Sequence, residues 1–426
     1  MLQAGFSVRV ITPKENETVF LGGYAARNHN AEGVHDDLFA KAICLDDGRT
    51  RAVAVSLDVV GIMQDQFQKM RERIRLLCGI QNIIITATHD HSAPDTRLRM
   101  RSVNGAWCDR MIDEAVGAVC EAHKALAPVR LFAGFTHVPE VARNRRGEET
   151  VDDELFALRA VDQSGKTRGI LVNYACHCTV LDANNYFISA DYPADLYRKL
   201  SAEFEHAPVL FTNAACGNIN IGYSADASAL GMDMGDIRSY TNAERKADAL
   251  KRGVLEIFQR EELLDPDLRF RTFSLAMPLK SDLPSKKELE ERITRSDMLL
   301  KTAGDPEKTR LEIAKVYDTC VLDNLEEYHT EGRDHIVAEI SFLRIGDIVL
   351  ITAPVELFCE IGLEIKKNFL PDYRAVILGY ANGYFGYLPT SEAQRKGGYE
   401  CETSVHSVDG GGQFSREIIA QRGTLK

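Results

Sequence analysis

The chain has 426 residues, a formal net charge of -12 at pH 7 and 45% hydrophobic residues, so it can bury a sizeable core. Its acidic balance argues against nucleic-acid binding, which needs clustered Lys and Arg to neutralise phosphates. A neutral or cationic small-molecule substrate fits this balance better.

The sequence also carries information about location and redox state. The N-terminal residues enter a strand-like alternation without the pattern of a signal peptide, and the apolar stretches are too short to cross a bilayer. The ten cysteines are scattered along the chain, several within apolar runs, and we interpret them as reduced thiols. We therefore expect a cytoplasmic protein without a membrane anchor, and a homo-oligomer is compatible with these features.

Short apolar runs alternate with helical patterns along the chain. In the first third, strand-like runs such as RAVAVSLDVV and NIIITAT flank helical patterns at 62–77 and 107–126. Further strand-like runs are ELFALRAV, GILVNYACH, PVLFTNAA, FRTFSLAM, IVAEISFLRI, DIVLITAP and AVILGYAN. The adjacent runs EISFLRI and DIVLITAP favour a hairpin, and hence mixed rather than purely parallel sheets. The sequence predicts an α/β fold with mixed β-sheets and covering helices, in one compact catalytic domain over residues 1–426.

Residues 283–332 are charged and have helical periodicity, with a break at AGDPEK that supplies Gly and Pro. This pattern predicts a helical hairpin within the domain. A mobile lid over the active site is one interpretation. We favour the other, a solvated pair of helices outside the core, because of the high charge.

The run NIIITATHDHSAP is a buried-type strand that ends in His89, Asp90 and His91. Since residues two apart in a strand point to the same side, both imidazoles are expected to project into one cleft at the strand end. Both could bind a metal ion, or one could bind it while the other transfers protons. A single histidine here would more often be a hydrogen-bonded core residue, but a same-face pair favours function.

A second apolar strand, GILVNYACHCTVL, carries His177 between Cys176 and Cys178. Because side chains alternate along a strand, His177 faces away from both cysteines, which argues against a Cys-His-Cys metal site. Taken alone, this histidine is more often a satisfied core residue than a ligand.

Two segments near the C-terminus add oxygen donors. Glu356 follows the apolar strand IVLITAP, where a carboxylate is costly to bury unless it is paired or metal-bound; as an alternative, it could stabilise a helix N-terminus. The segment NGYFGYLPTSEA, followed by GGYE, places Tyr384, Tyr387 and Tyr399 close in sequence. Phenols can donate to an oxyanion or, as phenolates, bind zinc, although such tyrosines are more often packing residues.

The run VLFTNAACGNINIGYS is a strand that enters a small-residue turn containing Gly217, Asn218 and Asn220. Such turns can be ordinary connections, or they can expose backbone N–H groups that suit an oxyanion. No nucleophile elbow and no phosphate-binding loop occurs in the sequence, so serine-hydrolase and nucleotide chemistry lack their signatures.

Taken in order, these segments resemble the catalytic domain of the neutral (non-lysosomal) ceramidase family and its shorter bacterial relatives. The resemblance spans nearly the whole chain and depends on collinear motifs. They are FSVRVITP, LGGY followed by EGVHDDLFAKAICLDD, SLDVVG, ATHDHSAP, ARNRR, VNYACHCTV, ISADYP, ACGNIN, APVEL and NGYFGYLPTSEA.

The resemblance implies a single Zn2+ ion with four protein ligands, which correspond to His89, His177, Glu356 and Tyr387. Tyr387 is preferred to Tyr384 because the family uses the later tyrosine of the N-x-Y-x-x-Y pattern. Zinc in such a site lowers the pKa of a water molecule towards ~7 and polarises a carbonyl group.

The same resemblance makes His91 the candidate for proton transfer, and Arg145 and Tyr399 candidates for contacts with the carbonyl oxygen or oxyanion. Ceramidases carry a serine that is implicated in catalysis where this chain has Asn220, which cannot act as a hydroxyl nucleophile but can donate a hydrogen bond. The family's secretion signal and C-terminal β-sandwich domain are also missing, so ceramide is not the expected substrate.

These features together predict a zinc-dependent hydrolase in which activated water attacks an amide or related carbonyl of a small polar substrate. Two alternatives stay open. One is zinc-dependent hydrolysis of a glycosidic, ester or lactone bond. The other is a catalytically inactive binding protein that has kept the pocket.

Overall fold

The strands of the protein follow the apolar runs of its sequence. A computed structural model describes residues 1–24, 26–97, 104–229, 232, 234–328, 330 and 332–426. The strands of the first half are β1 (Gln3–Val10), β2 (Gly33–Val34), β3 (Phe39–Asp46), β4 (Arg51–Leu57), β5 (Asn82–Ala87), β6 (Ala127–Pro128), β7 (Arg130–His137), β8 (Arg143–Asn144), β9 (Glu154–Val161), β10 (Thr167–Tyr174), β11 (Phe187–Ile188), β12 (Val209–Asn213) and β13 (Ile219–Asn220). Those of the second half are β14 (Glu262–Leu263), β15 (Leu268–Pro278), β16 (His335–Ile345), β17 (Ile348–Ala353), β18 (Glu356–Leu357), β19 (Arg374–Gly379) and β20 (Tyr387–Leu388).

Several helices begin at a side chain that caps the free N–H groups of the first turn. Asn104 accepts a hydrogen bond from the Trp107 N–H, and Ser239 accepts one from the Asn242 N–H. The helices are α1 (Gln64–Cys78), α2 (Gly105–Lys124), α3 (Tyr192–Glu203), α4 (Ala225–Ala229), α5 (Tyr240–Gln259), α6 (Lys286–Leu300), α7 (Asp305–Glu327), α8 (Cys359–Phe369), α9 (Ser391–Lys396), α10 (Tyr399–Glu402) and α11 (Gly410–Ala420). Short 3-10 turns cover Gly235–Arg238 and Gln421–Leu425.

Three larger sheets form the body of the described structure. Their strand orders are β5-β4-β3-β1-β6, β12-β10-β9-β7-β14 and β15-β16-β17-β19. Each sheet contains one parallel pair at its edge, namely β4 with β5, β10 with β12, and β17 with β19, whereas its remaining pairs are antiparallel. The predicted hairpin of β16 and β17 is present. The prediction of an α/β fold with mixed sheets in one compact unit is therefore confirmed.

Buried polar side chains join the parallel pairs of the three sheets to one another. The Asn213 side-chain amide donates to the Thr88 carbonyl at 2.6 Å, and that of Asn173 donates to the Ile377 carbonyl at 3.0 Å. Asn382 accepts from the Ile85 N–H at 3.0 Å. Because buried amides keep their hydrogen bonds only in one arrangement, these contacts fix the sheets relative to each other.

Apolar side chains fill both faces of these sheets. Alternate residues of the strands form one cluster between the sheets, which includes Ile43, Leu158, Leu171 and Leu350. The opposite faces contribute to a larger cluster beneath the helices, where α2 packs on β1 and β3, and α5 packs on β7 and β9. Two-sided burial explains why the strand runs are almost continuously apolar rather than alternating.

The charged segment 283–332 contains the two helices α6 and α7, which pack on each other; residues 329 and 331 lie outside the described part. Helix α6 is largely exposed. The expectation of a solvated pair outside the core is wrong for α7, because Val321 is buried and Asn324 donates to the Thr403 carbonyl at 2.9 Å. Tyr328, directly after α7, is also buried.

The interpretation of all cysteines as reduced thiols is also wrong. Cys78 at the end of α1 and Cys120 in α2 form a disulfide, with their Cα atoms 6.0 Å apart. The two residues are 42 positions apart, and only the packing of α1 on α2 brings them together, so their local spacing gave no indication. Among the described helices, none has the length and apolar character needed to cross a bilayer.

Candidate metal centre and active site

His89 and His91 lie in a turn beyond β5. The strand ends at Ala87, and His89 has a left-handed backbone with φ 59°, an uncommon conformation for a non-glycine residue. Its ring stacks on Tyr380 at a centroid distance of 4.0 Å, and its Nε2 lies 3.1 Å from Nε2 of His91. The structure thus brings both imidazoles together as the sequence predicts, but through a tight turn rather than through strand alternation.

His177 reaches the same place from the second sheet. Strand β10 ends at Tyr174, and the loop that follows pairs with the His89 turn through a parallel bridge between Asp90 and Cys178. Cys178 accepts from Asn213, and burial raises the pKa of the Cys176 thiol to about 12. Neither cysteine joins the histidine cluster, in agreement with the sequence argument against a Cys-His-Cys site.

Glu356 enters from the third sheet, three residues after the end of β17. Its side chain is 3% exposed, and its Oε2 lies 3.3 Å from Nε2 of His89 and 3.2 Å from Nε2 of His177. Burial by itself would raise the pKa of this carboxyl, but the two histidines outweigh burial and lower it well below its usual value. Of the two interpretations from sequence, the geometry favours the ligand cluster over a helix N-terminal contact.

The outer nitrogens of both histidines are held by backbone carbonyls. Nδ1 of His89 lies 2.7 Å from the Val60 carbonyl oxygen, and Nδ1 of His177 lies 3.0 Å from that of Ile219. Since a carbonyl oxygen only accepts, each Nδ1 carries the proton and each Nε2 presents a lone pair. Two lone pairs therefore converge on one carboxylate oxygen, an arrangement that fits a divalent cation and resembles the orientation of metal-bound histidines.

His91 is the third member of the cluster. The ring nitrogens of His89, His91 and His177 all lie within 4.8 Å of one another, which would allow the three to hold a metal ion. His91 differs from the other two because its Nδ1 has no hydrogen-bond partner among the described residues. It also lines the cleft, next to Gly23, and burial lowers its pKa well below the usual value.

Three tyrosines of the C-terminal segment line the cleft. The Tyr384 hydroxyl donates to Oε1 of Glu356 at 2.5 Å. Tyr387 pairs with Glu356 in the register of β18 and β20, which places it beside the carboxylate. The Tyr399 hydroxyl lies 3.8 Å from Sγ of Cys320. Burial raises the pKa of all three phenols well above the usual value.

Arg145 lies behind Tyr387 rather than in the wall of the cleft. Its Nε donates to Glu400 at 2.7 Å, and its Nη2 donates to the Gly217 carbonyl at 2.9 Å and to the Tyr387 hydroxyl at 3.0 Å. Burial lowers the pKa of this guanidinium, but Tyr387 and Glu400 more than compensate and raise it well above the usual value. Among the described residues, Arg145 contacts the cleft lining through Tyr387, so the geometry favours a positioning role over the direct contact with a carbonyl oxygen that the resemblance implies.

In the turn containing Gly217 and Asn220, the polar groups of these two residues form hydrogen bonds with backbone groups. The side-chain oxygen of Asn220 accepts from the N–H groups of Gly222 and Tyr223, and its amide donates to the Tyr223 carbonyl at 2.9 Å. The Gly217 N–H donates to the Leu357 carbonyl at 2.8 Å. Of the two interpretations of this turn, the geometry favours an ordinary connection over an oxyanion site, and the described hydrogen bonds of the Asn220 side chain all lie within the turn.

The lining of the cleft also includes residues that the sequence analysis did not single out, among them Arg97, Cys320 and Asn324. Arg97 stands six positions after His91, so proximity to the histidine motif was an available signal. Cys320 and Asn324 belong to α7. The charged sequence of this helix gave no indication that it lines the cleft. The cavity has a volume of about 60 Å³.

Known proteins provide an independent comparison. A family model for "Neutral/alkaline non-lysosomal ceramidase, N-terminal" matches residues 3–195. The neutral ceramidase of Pseudomonas aeruginosa is 22% identical over 92% of this chain and 67% of its own length. Neutral ceramidase A of Dictyostelium discoideum is 26% identical over 44% of this chain and 30% of its own length. This chain thus spans about two thirds of the first relative and less than a third of the second.

The fold agrees with these matches. The crystal structure of the neutral ceramidase from Pseudomonas aeruginosa covers 100% of this chain, with a TM-score of 0.78 at 20% identity, while 74% of that chain is matched. A ceramidase complexed with C2 gives a TM-score of 0.76 at 19% identity. The segment matched by the family model contains all three clustered histidines. In sequence and in fold, this chain is therefore similar to the neutral/alkaline non-lysosomal ceramidases.

Proposed function

We propose that the protein is a zinc-dependent hydrolase that cleaves an amide or related carbonyl bond of a small polar substrate. The convergence of Nε2 of His89, Nε2 of His177 and Oε2 of Glu356 supports this proposal most directly. Two imidazoles and a carboxylate are a donor set that zinc accepts while leaving room for further ligands. Tyr387, held beside Glu356 by strand pairing, is our candidate for the fourth ligand.

Bound zinc would supply Lewis acidity, which activates water and polarises a carbonyl group at neutral pH. His91 lies in the cleft next to the cluster, and its Nδ1 is not committed to a described partner, so it can transfer protons. In amide hydrolysis a bond forms between the water oxygen and the carbonyl carbon, and the C–N bond breaks. His91 would accept the proton from water and pass it to the leaving nitrogen.

Tyr399 and Arg145 support this chemistry in different ways. The Tyr399 hydroxyl points into the cleft and has only a weak contact with Cys320, so it can donate to a developing oxyanion. Arg145 donates to the Tyr387 hydroxyl and is itself held by Glu400. We assign Arg145 the positioning of Tyr387. Since Asn220 offers no hydroxyl, the reaction proceeds by direct attack of water, without an acyl-enzyme.

The test combines metal analysis with a substrate screen. Purified protein should hold about one zinc per chain, and His89→Ala or His177→Ala should lose it. His137→Ala is the matched control, because that side chain is 71% exposed, pairs with Asp153 and is not part of the described cleft lining. Hydrolysis should be found among short amides rather than among esters, lactones or glycosides. Absence of bound metal from the unaltered protein, or full occupancy in both variants, would refute the proposal.

A further inference from the structure

The cleft contains one fixed positive charge that the proposed chemistry does not use. Among the described residues lining the cleft, Arg97 is the only lysine or arginine, and it shares the cleft with His91 and Glu356. It belongs to the loop that follows the histidine turn. The Asp95 N–H in that loop donates to the Phe20 carbonyl at 2.8 Å, which anchors the loop next to the site.

Asp95 holds one edge of the Arg97 guanidinium. Nε donates to Oδ1 at 3.1 Å and Nη2 to Oδ2 at 3.2 Å, while the Arg97 N–H donates to Oδ1 at 3.0 Å. Asp95 is 4% exposed, so the pair is rigidly placed rather than freely solvated. This contact occupies the Nε–H group and one N–H group of Nη2. It does not use the N–H groups of Nη1 or the second N–H group of Nη2, which form the other edge of the guanidinium. Nη1 donates to no described residue.

A guanidinium edge with two parallel N–H groups matches the two oxygens of a carboxylate. An arginine held on one edge by aspartate keeps its orientation before a ligand arrives, so it loses little conformational entropy on binding. The protein as a whole has a net charge of -12, which favours neutral or cationic ligands. The positive charge of Arg97 in the cleft is an exception to this balance. A positive group within the reaction cleft therefore indicates selection for a particular substrate group.

A second polar group lies next to this cleft without a partner. The Tyr328 side chain is 6% exposed, and its hydroxyl makes no hydrogen bond to a described residue. A Cβ added to Gly386, a residue of the cleft wall, would come within 3.1 Å of that hydroxyl. An unsatisfied buried hydroxyl is costly, which favours a ligand that accepts from it.

From this geometry we infer that the substrate carries a carboxylate near its scissile amide, and that the free edge of Arg97 binds this carboxylate. The inference rests on the proposed amide hydrolysis and specifies its substrate class. The carboxylate could belong to the amine half of the substrate, as in an N-acyl amino acid, or to the acyl half, as in the monoamide of a dicarboxylic acid. The chemistry that Arg97 recognises is the same in both.

Matched substrates distinguish these sources. N-acetylglycine is compared with N-acetylethanolamine for the amine half, and N-methylsuccinamic acid with N-methylbutanamide for the acyl half. The zinc-loaded protein should prefer the carboxylate member of one pair. Arg97→Gln should lower kcat/KM for that member by about 10- to 100-fold, mainly through KM, as expected for the loss of a charged hydrogen-bond donor. The neutral member should lose much less, so the ratio of the two kcat/KM values should fall.

Two further variants separate recognition from structural damage. Arg97→Lys keeps the charge without the two-pronged geometry and should recover part of the loss. Arg73→Gln is the matched control, because Arg73 also pairs with an aspartate, Asp113, but is exposed and is not among the described residues of the cleft lining. An equal loss for charged and neutral substrates in Arg97→Gln, or no preference in the unaltered enzyme, would overturn the inference.

A binding measurement makes failure of the inference distinguishable from failure of the proposed function. Calorimetry measures succinate binding to the zinc-loaded protein and to zinc-loaded Arg97→Gln. Binding that weakens at least about tenfold in the variant supports the carboxylate site even if no amide is hydrolysed. Binding that persists unchanged in Arg97→Gln refutes the site, whatever the enzyme hydrolyses. Equally tight, Arg97-dependent binding of inorganic phosphate would also refute selection for a carboxylate.

Discussion

Gly217 provides a sharp test of how the metal centre is supported, because it lies against the backbone of Glu356. A Cβ at this position would come within 2.3 Å of the Glu356 carbonyl oxygen and 2.8 Å of the Glu356 carbonyl carbon. Both are backbone atoms, so no side-chain rotation can relieve the contact. Gly217→Ala must therefore separate the turn from the segment that carries the carboxylate, by roughly 1 Å if an ordinary contact is to be restored.

This displacement should have two measurable effects. Overpacking of a buried contact typically costs about 1–3 kcal/mol, so the free energy of unfolding of the metal-free protein should fall by that amount. Moving Glu356 relative to the histidines should also weaken zinc binding by about 10- to 100-fold, as does the loss of other supporting contacts around metal ligands. Urea titration of metal-free protein gives the first quantity, and competition with a chromogenic chelator gives the second.

Gly423→Ala is the matched control, because a Cβ there would meet nothing within 4 Å. That variant should retain both stability and zinc affinity. Lowered stability of Gly217→Ala with unchanged zinc affinity would refute the reasoning, since it would show that Glu356 is not positioned by this turn or does not bind the metal.

Further predictions concern single side chains around the same centre. Tyr384→Phe removes one hydrogen bond to Glu356, the proposed carboxylate ligand, and should weaken zinc binding by about tenfold. Tyr387→Phe should weaken zinc binding more; the reverse order in chelator competition would assign the ligand to Tyr384. Tyr328→Ala should lower the free energy of unfolding by about 3–5 kcal/mol in urea titrations, because that ring is buried against the cleft wall. Asn220→Ala should lower stability by about 1–3 kcal/mol through its turn and leave kcat almost unchanged, with no covalent adduct in mass spectra during turnover. His91→Ala should reduce kcat by about 10²- to 10⁴-fold while zinc stays bound, and a near-normal rate would exclude it as the proton carrier.

Most of the fold could be predicted from the sequence, because strands that are buried on both faces form almost continuous apolar runs. The helical patterns at 62–77 and 107–126 correspond to α1 (Gln64–Cys78) and α2 (Gly105–Lys124). The run ELFALRAV coincides with β9, and the β16–β17 hairpin pairs as its short connection predicts. The end of each strand was harder to predict, because apolar residues continue beyond Ala87 and Tyr174 into buried turns.

The candidate site was predictable only where its residues stand in distinctive motifs. The ends of apolar strands singled out His89, His177 and Glu356, and the resemblance to the ceramidases assigned them as ligands; the structure brings the three together. Arg97 and the α7 side chains could not be found this way, because their placement depends on how distant segments pack. The predicted roles of Arg145 and Asn220 were assigned by resemblance, and their hydrogen bonds to Glu400, Tyr387 and a local turn became visible only in three dimensions.

Each of the three large sheets delivers one member of the ligand cluster, from the end of a strand in its parallel pair. His177 and Glu356, which approach to 3.2 Å, are 179 residues apart in the chain. The exposed connection between α6 and α7 lies between them, so a protein cut there would leave both histidines on one fragment and the carboxylate on the other. Neither fragment alone would then carry the complete set of proposed ligands. Zinc binding would then hold the two polypeptides together, so the protein could be divided into two fragments whose association depends on the metal.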